Sequence, residues 1–374
     1  MEPENSRENS VCTAFKRAQV RYRRRGNDPN RSSDLPELVD FNGAINDDDR
    51  VVHFATRRVC STYAEEIYQG SLYGLREFPG FIYAPQALSI SLQQQLAYHA
   101  VSEYCEAPHL TNIDQTPPKE FEYRNKDENM WELWKRDCGF GDDPTLGFQE
   151  HSKSNQKQPK KYYRNFQKLS WATMGYHYDW SLRCYHERAK SPMPPLVADL
   201  ATFFAKTYFF VETGKIHPFT PSASIVNYYN TKSIMGGHRD DLELALDKPI
   251  VSLSLGLPAI FLLGGKSKDD TPVLPILIRP GDVLCMGGNC RLNYHGMARL
   301  LPSAVPLPSI APSPFSTSED QVTVEKLARL PKESEAKLSF VSVQGRRDEK
   351  ALAEFLSTHR ININVRQVYP DSEQ

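Results

Sequence analysis

Residues 249–256 read PIVSLSLG and residues 259–265 read AIFLLGG. In the first run apolar and small polar residues alternate, which is the period of an extended strand with one buried face. The same texture recurs on either side. SIVNYYN (224–230) comes before, and PVLPILI (272–278), DVLCMGG (282–288) and RININVRQV (360–368) come after, with Gly, Pro and Asp turns between. Many short strands so punctuated predict a sandwich or barrel, and a double-sheet jelly roll fits their number. Helical stretches stand before and within the series: 86–105 (QALSISLQQQLAYHAVSEYC), 191–210 and 347–358 (RDEKALAEFLST). The expected fold is α+β, a double-stranded β-helix (jelly roll) core buttressed by N-terminal helices.

The chain has 374 residues, 40% hydrophobic and 24% charged, close to ordinary globular usage, so it can bury a sizeable core. Mean hydropathy is -0.54, and no apolar run approaches the ~18 residues that span a bilayer, so no membrane is expected. Lys and Arg number 45 against 46 Asp and Glu, which excludes a histone-like polybasic binder but leaves room for a local basic surface. The seven cysteines lack CxxC pairing, as expected of free thiols in a reduced intracellular compartment. The N-terminus, MEPENSRENS, has no apolar core for secretion, and its acidic residues argue against a transit peptide.

Three regions follow. Residues 1–34 read as a flexible basic segment (Lys16, Arg17, Arg21, Arg23, Arg24, Arg25), either a solvated helix end or a nucleic-acid arm. Residues 35–169 read as an N-terminal helical extension with substrate-binding elements. They end in KQPKKYYRNF, whose Lys160, Lys161 and Arg164 suit a rim for a nucleic-acid backbone and equally a solvated loop. Residues 170–370 hold the jelly roll, interrupted by a Pro- and Ser-rich surface insertion over 302–320.

Such a core can hold a metal when imidazoles and a carboxylate project inward from strand ends. Two His and one carboxylate on one face of an octahedron leave positions for co-substrate and oxygen, as in non-haem Fe(II) oxygenases. The signature is His-x-Asp with a distant His, since residues i and i+2 face the same way on an extended chain. Two such pairs occur, His177-Tyr178-Asp179 and His238-Arg239-Asp240. Their surroundings separate them. The second pair follows Asn227-Tyr228-Tyr229 and Gly236-Gly237, and Pro280-Gly281-Asp282 leads on to Asn293-Tyr294-His295-Gly296. Arg360 and Arg366 then share one face of a strand, and planar guanidinium groups suit a dicarboxylate co-substrate. No comparable arginine pair serves the first alternative. His238, Asp240 and His295 are therefore the expected metal ligands.

Together, NYY, HRDD, PGD, RLNYHG and RININVRQV resemble the AlkB family of Fe(II)- and 2-oxoglutarate-dependent nucleic-acid dioxygenases. LSWATMGYHYDW (169–180) and PAIFLLGG (258–265) look more narrowly like the eukaryotic branch called AlkB homologue one. The resemblance is dense over residues 165–300 and 347–370. It implies that His238, Asp240 and His295 hold Fe(II), and that Asn227 and Tyr229 hydrogen-bond 2-oxoglutarate. Arg360 would pair with the far carboxylate of 2-oxoglutarate, with Asn362 beside it and Arg366 nearer the metal end. In the family, O2 and 2-oxoglutarate yield succinate and CO2, an N-methyl group becomes hydroxymethyl, and formaldehyde leaves the bare base.

The branch is associated with N1-methyladenine in tRNA, N6-methyladenine in DNA and oxidation of 5-methylcytosine in tRNA, so methylated RNA or DNA is the implied partner, tRNA favoured. Bacterial members place a second carboxylate two residues after the metal-binding Asp, where this chain has Leu242, and that leaves base identity open. Within GYHYDW, Tyr176, His177, Tyr178 and Trp180 suit either an edge strand with an aromatic core face or a lid whose rings stack on a flipped base. A methyl-lysine oxygenase on the same core, or a non-catalytic binding module, are the rival readings. The expected protein is a monomer in the nucleus or mitochondrion, with the cytoplasm as a further compartment.

Overall fold

The computed structural model describes residues 12–23, 37–42, 48–54, 66–115, 122–123, 129–140, 161–162, 166–179, 181–301, 321–323, 326 and 345–371. In chain order, helix α1 (Ala14–Arg23) is followed by strands β1 (Val51–Phe54), β2 (Leu72–Leu75) and β3 (Phe78–Ala84). Then come α2 (Ile90–Ser102), β4 (Leu110–Thr111), α3 (Asn112–Gln115), β5 (Glu122–Tyr123), α4 (Met130–Asp137) and β6 (Lys161–Tyr162). The hairpin β7 (Trp171–Asp179) and β8 (Cys184–Lys190) leads into α5 (Pro195–Thr213). After it run β9 (Ala223–Asn230), β10 (Met235–His238), β11 (Ile250–Gly256), β12 (Ala259–Leu263), β13 (Leu274–Ile278), β14 (Val283–Met286) and β15 (His295–Leu300). Helix α6 (Gly345–Thr358) and β16 (His359–Arg366) close the fold.

Two antiparallel sheets form the expected jelly roll. The larger has ten strands in the order β1-β2-β3-β14-β11-β16-β9-β7-β4, with β8 added to β7, and the smaller has the order β10-β15-β12-β13. Helices α2, α5 and α6 pack on the outer face of the larger sheet through a core that includes Leu96, Phe204, Leu253, Phe355 and Ile363. Helix α5 is apolar on nearly every side, as a helix between other layers must be. Pro195 starts it and Gly214, at φ 71, ends it in the left-handed region open to glycine. No described helix is long and apolar enough to cross a membrane.

Strand β11 departs from the expectation of one buried face, because all seven of its residues are buried. Val251, Leu253 and Leu255 face the helices. Ile250 and Ser252 face the smaller sheet and line a cavity between the two sheets. Ser252 marks a polar cavity wall rather than solvent.

Two regional expectations need correction. The 35–169 segment is not only helical, since β1, β2 and β3 extend the larger sheet through β3–β14 pairing. The run FPGFIYA is buried over six of its seven residues, which helix periodicity does not detect. Within the basic N-terminal segment, residues 14–23 are a docked helix. Phe15, Gln19 and Tyr22, spaced four and three apart, are its buried face. Gln19 Nε2 donates to the Met235 carbonyl at 3.0 Å. The Phe15 ring fills the space where a Cβ on Gly237 would sit, 2.5 Å away. Residues 24–34 and the insertion 302–320 lie outside the described residues.

Candidate metal and co-substrate centre

Strands β10 and β15 are antiparallel neighbours, and His238 lies directly opposite His295. The close approach depends on Gly296, where a Cβ would meet the Met235 carbonyl at 2.8 Å. The two imidazole centroids are 4.3 Å apart. Each ring is oriented by its own chain: His238 Nδ1 donates to the Gly236 carbonyl at 3.0 Å, and His295 Nδ1 donates to the Asn293 carbonyl at 3.1 Å. A carbonyl only accepts, so the proton sits on Nδ1 in both rings and each Nε2 lone pair is left for a metal. Both Nε2 atoms face the Asp240 carboxylate, at 4.0 Å for His238 and 3.9 Å for His295. Those distances exceed a hydrogen bond, yet all three donor atoms lie within 4.8 Å of one another, close enough to share one ion.

The electrostatics suit the same role. Burial alone would raise the Asp240 carboxyl, but Arg366 above all, then His295, His238 and Arg291, hold it well below the usual carboxylate range. Burial, aided by His238, pushes His295 down to about 4, so it is neutral at physiological pH, as a metal ligand must be. Two imidazoles and one carboxylate beside an open cavity match the donor set of non-haem iron.

The cavity has a volume of about 590 Å³, within the range of small-molecule sites. Arg360 and Arg366, six apart on β16, both line it, as strand alternation requires. Arg360 is 2% exposed. Its Nη2 donates to Ser254 Oγ at 2.9 Å and its Nη1 to the Leu257 carbonyl at 3.2 Å, while Nε is buried without a partner. Among the described residues no carboxylate pairs with it. Burial therefore pulls its pKa below the ordinary value, with Tyr229 chief among the groups opposing that. A buried guanidinium without a counter-ion is costly, and a ligand carboxylate supplies what it lacks.

Arg366 is placed differently. Its Nη1 donates to Glu243 Oε1 at 3.0 Å, and its Nη2 is 3.4 Å from Asp240 Oδ2. It links the metal end of the cavity to a buried acid. Asn227 and Tyr229 line the cavity too, each opposite its neighbour on β16: Asn227 pairs with Asn362 and Tyr229 with Arg360. Asn362 is held by Ser252, whose Oγ donates to its Oδ1 at 2.9 Å.

Sequence reasoning missed the group that braces this end. Glu243, buried three residues beyond Asp240, accepts from Arg291 Nη2, Arg366 Nη1 and the Tyr185 hydroxyl, each at 3.0 Å. Arg291 also donates from Nε to the Lys248 carbonyl at 3.1 Å and from Nη1 to the Asp240 carbonyl. A lone Glu in HRDDLEL carries no mark of burial. The only available signal was Arg291 within RLNYHG, a motif whose arginine had no assigned partner.

The GYHYDW segment divides between two faces. Tyr178 lines the cavity, its ring 5.3 Å from that of Tyr185. Tyr176 lies further out, edge-on to Tyr369 at 5.1 Å. His177 corrects the reading of all these residues as one lid surface. It points to the opposite face, buried, with a 2.9 Å hydrogen bond between its Nδ1 and Thr173 Oγ1. Asp179 caps a turn, accepting from the Ser181 and Leu182 N–H groups at 2.8 and 2.9 Å. His177 and Asp179 are thus structural, and the first His-x-Asp pair is set aside as a ligand set. Trp180, Lys160 and Arg164 lie outside the described residues, as does the side chain of Lys161. Leu242, at the family's second-carboxylate position, lines the cavity together with Asp241.

A jelly roll with this triad and these arginines defines an iron- and 2-oxoglutarate-dependent oxygenase. The family model described as the 2OG-Fe(II) oxygenase superfamily matches residues 139–366, and the chain belongs to that superfamily. Family membership implies Fe(II), 2-oxoglutarate and O2 as its reactants. Within the superfamily, the chain is similar to the DNA N(6)-methyladenine demethylase ALKBH1A of Arabidopsis thaliana, 29% identical over 98% of this chain and 99% of the relative. It is also similar to the nucleic acid dioxygenase ALKBH1 of Homo sapiens, 30% identical over 79% of this chain and 66% of the relative. A third relative, the tRNA demethylase abh1 of Schizosaccharomyces pombe, is 34% identical over 37% of this chain and 44% of its own. The AlkB resemblance read from the motifs is borne out.

Proposed function

We propose that this protein oxidatively demethylates N-methyladenine in nucleic acids, with N1-methyladenine in tRNA as its first substrate and N6-methyladenine in DNA as its second. The observation that carries the reading is a single cavity with the His238–Asp240–His295 triad and the unpaired Arg360 guanidinium on its walls and Tyr178 and Tyr185 beside them. The named activities of the three relatives support the substrate class.

His238, Asp240 and His295 would hold Fe(II), which with 2-oxoglutarate and O2 supplies the oxidation of a methyl C–H bond. Arg360, backed by Ser254, would take the far carboxylate of 2-oxoglutarate, and Asn227 and Tyr229 would fix its other polar atoms. Phe261, Leu284 and Met286 line the cavity with apolar surface, which would help exclude water from it. Tyr178 and Tyr185 would hold the base so that its methyl group faces the triad. The balance is one O2 and one 2-oxoglutarate consumed, with succinate and CO2 formed and the methyl group converted to hydroxymethyl. That product loses formaldehyde to return adenine, releasing a proton as well where the methyl group was on the cationic N1 position and leaving an N–H where it was on N6.

The test is mass spectrometry of nucleosides from total tRNA, and from methylated DNA, after incubation with the protein, Fe(II) and 2-oxoglutarate, with His238→Ala alongside. Loss of methyladenine with the unmodified chain alone is the expected result. Succinate formation with all nucleosides unchanged would overturn the nucleic-acid reading and turn attention to methyl-lysine.

A further inference from the structure

The turn Arg279-Pro280-Gly281-Asp282 joins β13 to β14 and is bonded to the residue that supports Arg360. The Gly281 N–H donates to the Ser254 carbonyl at 2.8 Å, and the Ser254 N–H donates to the Asp282 carbonyl at 3.1 Å. Ser254 is thus held by the turn through its main chain, while its Oγ accepts from Arg360 Nη2 at 2.9 Å.

The Asp282 side chain is fully buried and does not line the cavity. Its Oδ1 accepts from the Gln86 N–H at 2.7 Å, and its Oδ2 accepts from the Arg279 N–H at 2.5 Å and from the Tyr83 hydroxyl. The Arg279 guanidinium takes no part in this, because it is turned to Asp40 in a two-pronged ion pair. Burial pushes the Asp282 carboxyl up to about 6, against the pull of Tyr83 and the two N–H groups, so it is ionised at neutral pH. That charge is felt at Arg360, where Asp282 is among the groups opposing the downward pull of burial. Ser254 bonds to both residues, and no ion pair joins them directly among the described residues.

Capping a turn needs no charge, since an asparagine oxygen accepts from turn N–H groups as well. A buried carboxylate one residue removed from a buried guanidinium is a different matter, because either charge is costly to bury unless another offsets it.

We propose that Asp282 is a positioning residue for the co-substrate: anchored by Tyr83 and the turn, and tied to Arg360 through Ser254, its carboxylate is the standing counter-charge of that guanidinium and so sets how tightly a dicarboxylate binds. Before 2-oxoglutarate arrives, Asp282 offsets part of the Arg360 charge and makes the site less costly to keep. Once a dianion is bound, the same carboxylate repels it. Asp282 therefore stabilises the free site and weakens the bound one. The inference rests on the reading that Arg360 takes the far carboxylate of 2-oxoglutarate.

The experiment titrates 2-oxoglutarate into the full chain by calorimetry, with saturating Fe(II) and without oxygen, and follows thermal melting with and without 2-oxoglutarate. Asp282→Asn should bind 2-oxoglutarate about 10-fold more tightly, the effect of removing one nearby like charge. It should melt lower than the unmodified chain when free and recover part of that loss on binding. Tyr83→Phe removes an anchoring hydrogen bond but not the charge, and should not tighten binding. The pH profile is the readout that a merely structural turn would not move. The groups facing Asp282 are Tyr83 of β3, Arg279 of the turn with Asp40 beyond it, and Arg360 of β16. In the unmodified chain, binding should tighten between about pH 7.5 and about pH 5.5, as Asp282 takes up its proton and the repulsion ends. Asp282→Asn should lose that slope.

If Asp282→Asn binds 2-oxoglutarate no more tightly than the unmodified chain while Arg360→Gln binds it more weakly, the counter-charge is refuted and the role of Arg360 stands. If Arg360→Gln binds as tightly as the unmodified chain, both fall together. Should Asp282→Asn fail to fold, the unmodified chain decides alone, since binding that stays flat or weakens over that pH range overturns the proposal.

Discussion

Replacing Glu243 by Gln tests whether the buried acid between two arginines holds the metal end of the site. Glu243, Arg291 and Arg366 are all nearly inaccessible, at 3%, 2% and 4% exposure. The carboxylate accepts from both guanidinium groups at 3.0 Å. Gln keeps one acceptor oxygen, so one of these two bonds survives and the other faces an N–H group. The lost bond to a charged partner costs about 1.5–3 kcal/mol. One guanidinium charge is also left without its acid, which brings the expected loss of stability to about 3–5 kcal/mol.

Function should suffer separately. Released from Glu243, Arg366 turns its full donor set onto Asp240 and competes with the metal for that carboxylate. Loss of a supporting partner of this kind lowers metal affinity about 10- to 100-fold. Chemical denaturation gives the first quantity and anaerobic Fe(II) titration the second. The pH dependence adds a signature. The folded-state pKa of Glu243 is lowered, since Arg366 and Arg291 together outweigh the burial and the Asp240 charge that raise it. Its contribution is therefore present above the unfolded value near 4.3 and is lost as pH falls through the lower folded value. The gap between the two proteins should close in acid. A variant within about 0.5 kcal/mol of the parent at neutral pH, with unchanged metal affinity, would refute the reasoning.

Two further outcomes are expected. Arg360→Gln should raise KM for 2-oxoglutarate about 100-fold, from the loss of about 3 kcal/mol of charged hydrogen bonding; without co-substrate the variant should be no less stable than the parent, because a buried unpaired charge has gone, and an unchanged KM would remove Arg360 from the site. His109, pushed down to about 4 by burial and then by the nearby His177, binds protons more readily when unfolded, so stability should fall as pH drops from about 6.5 toward 4. His109→Gln should flatten that part of the pH–stability curve, and a curve of unchanged shape would count against the assignment.

The parts of the site legible in the sequence were those fixed by strand alternation. His238 and Asp240 at i and i+2, and Arg360 and Arg366 six apart, project to one face whatever the tertiary detail, so the triad and the arginine pair could be placed from spacing. The jelly roll followed from the punctuated apolar runs for the same reason. What alternation cannot supply is which face a second layer will cover. His177 lay in a plausible aromatic strand, but its face packs inward against Thr173 rather than toward the cavity. Glu243 and Arg291 find each other across about fifty residues of chain, and nothing local marks either as buried. Strands β2 and β3 were missed because their apolar runs are short and covered on both faces, β1 because four residues are too few to show a period, and α1 because its basic residues hide the buried seam of Phe15, Gln19 and Tyr22.

The two serines of PIVSLSLG carry a warning for anyone who sets out to make this protein more robust. Judged by strand preference, valine at positions 252 and 254 is an improvement, and a library screened for heat resistance would enrich it. Each such exchange would put branched methyl groups where Ser252 now steadies Asn362 and Ser254 now accepts from Arg360. The sheet would gain and the cavity would lose its grip on a dicarboxylate, so the hardiest clones from such a screen should be the least active.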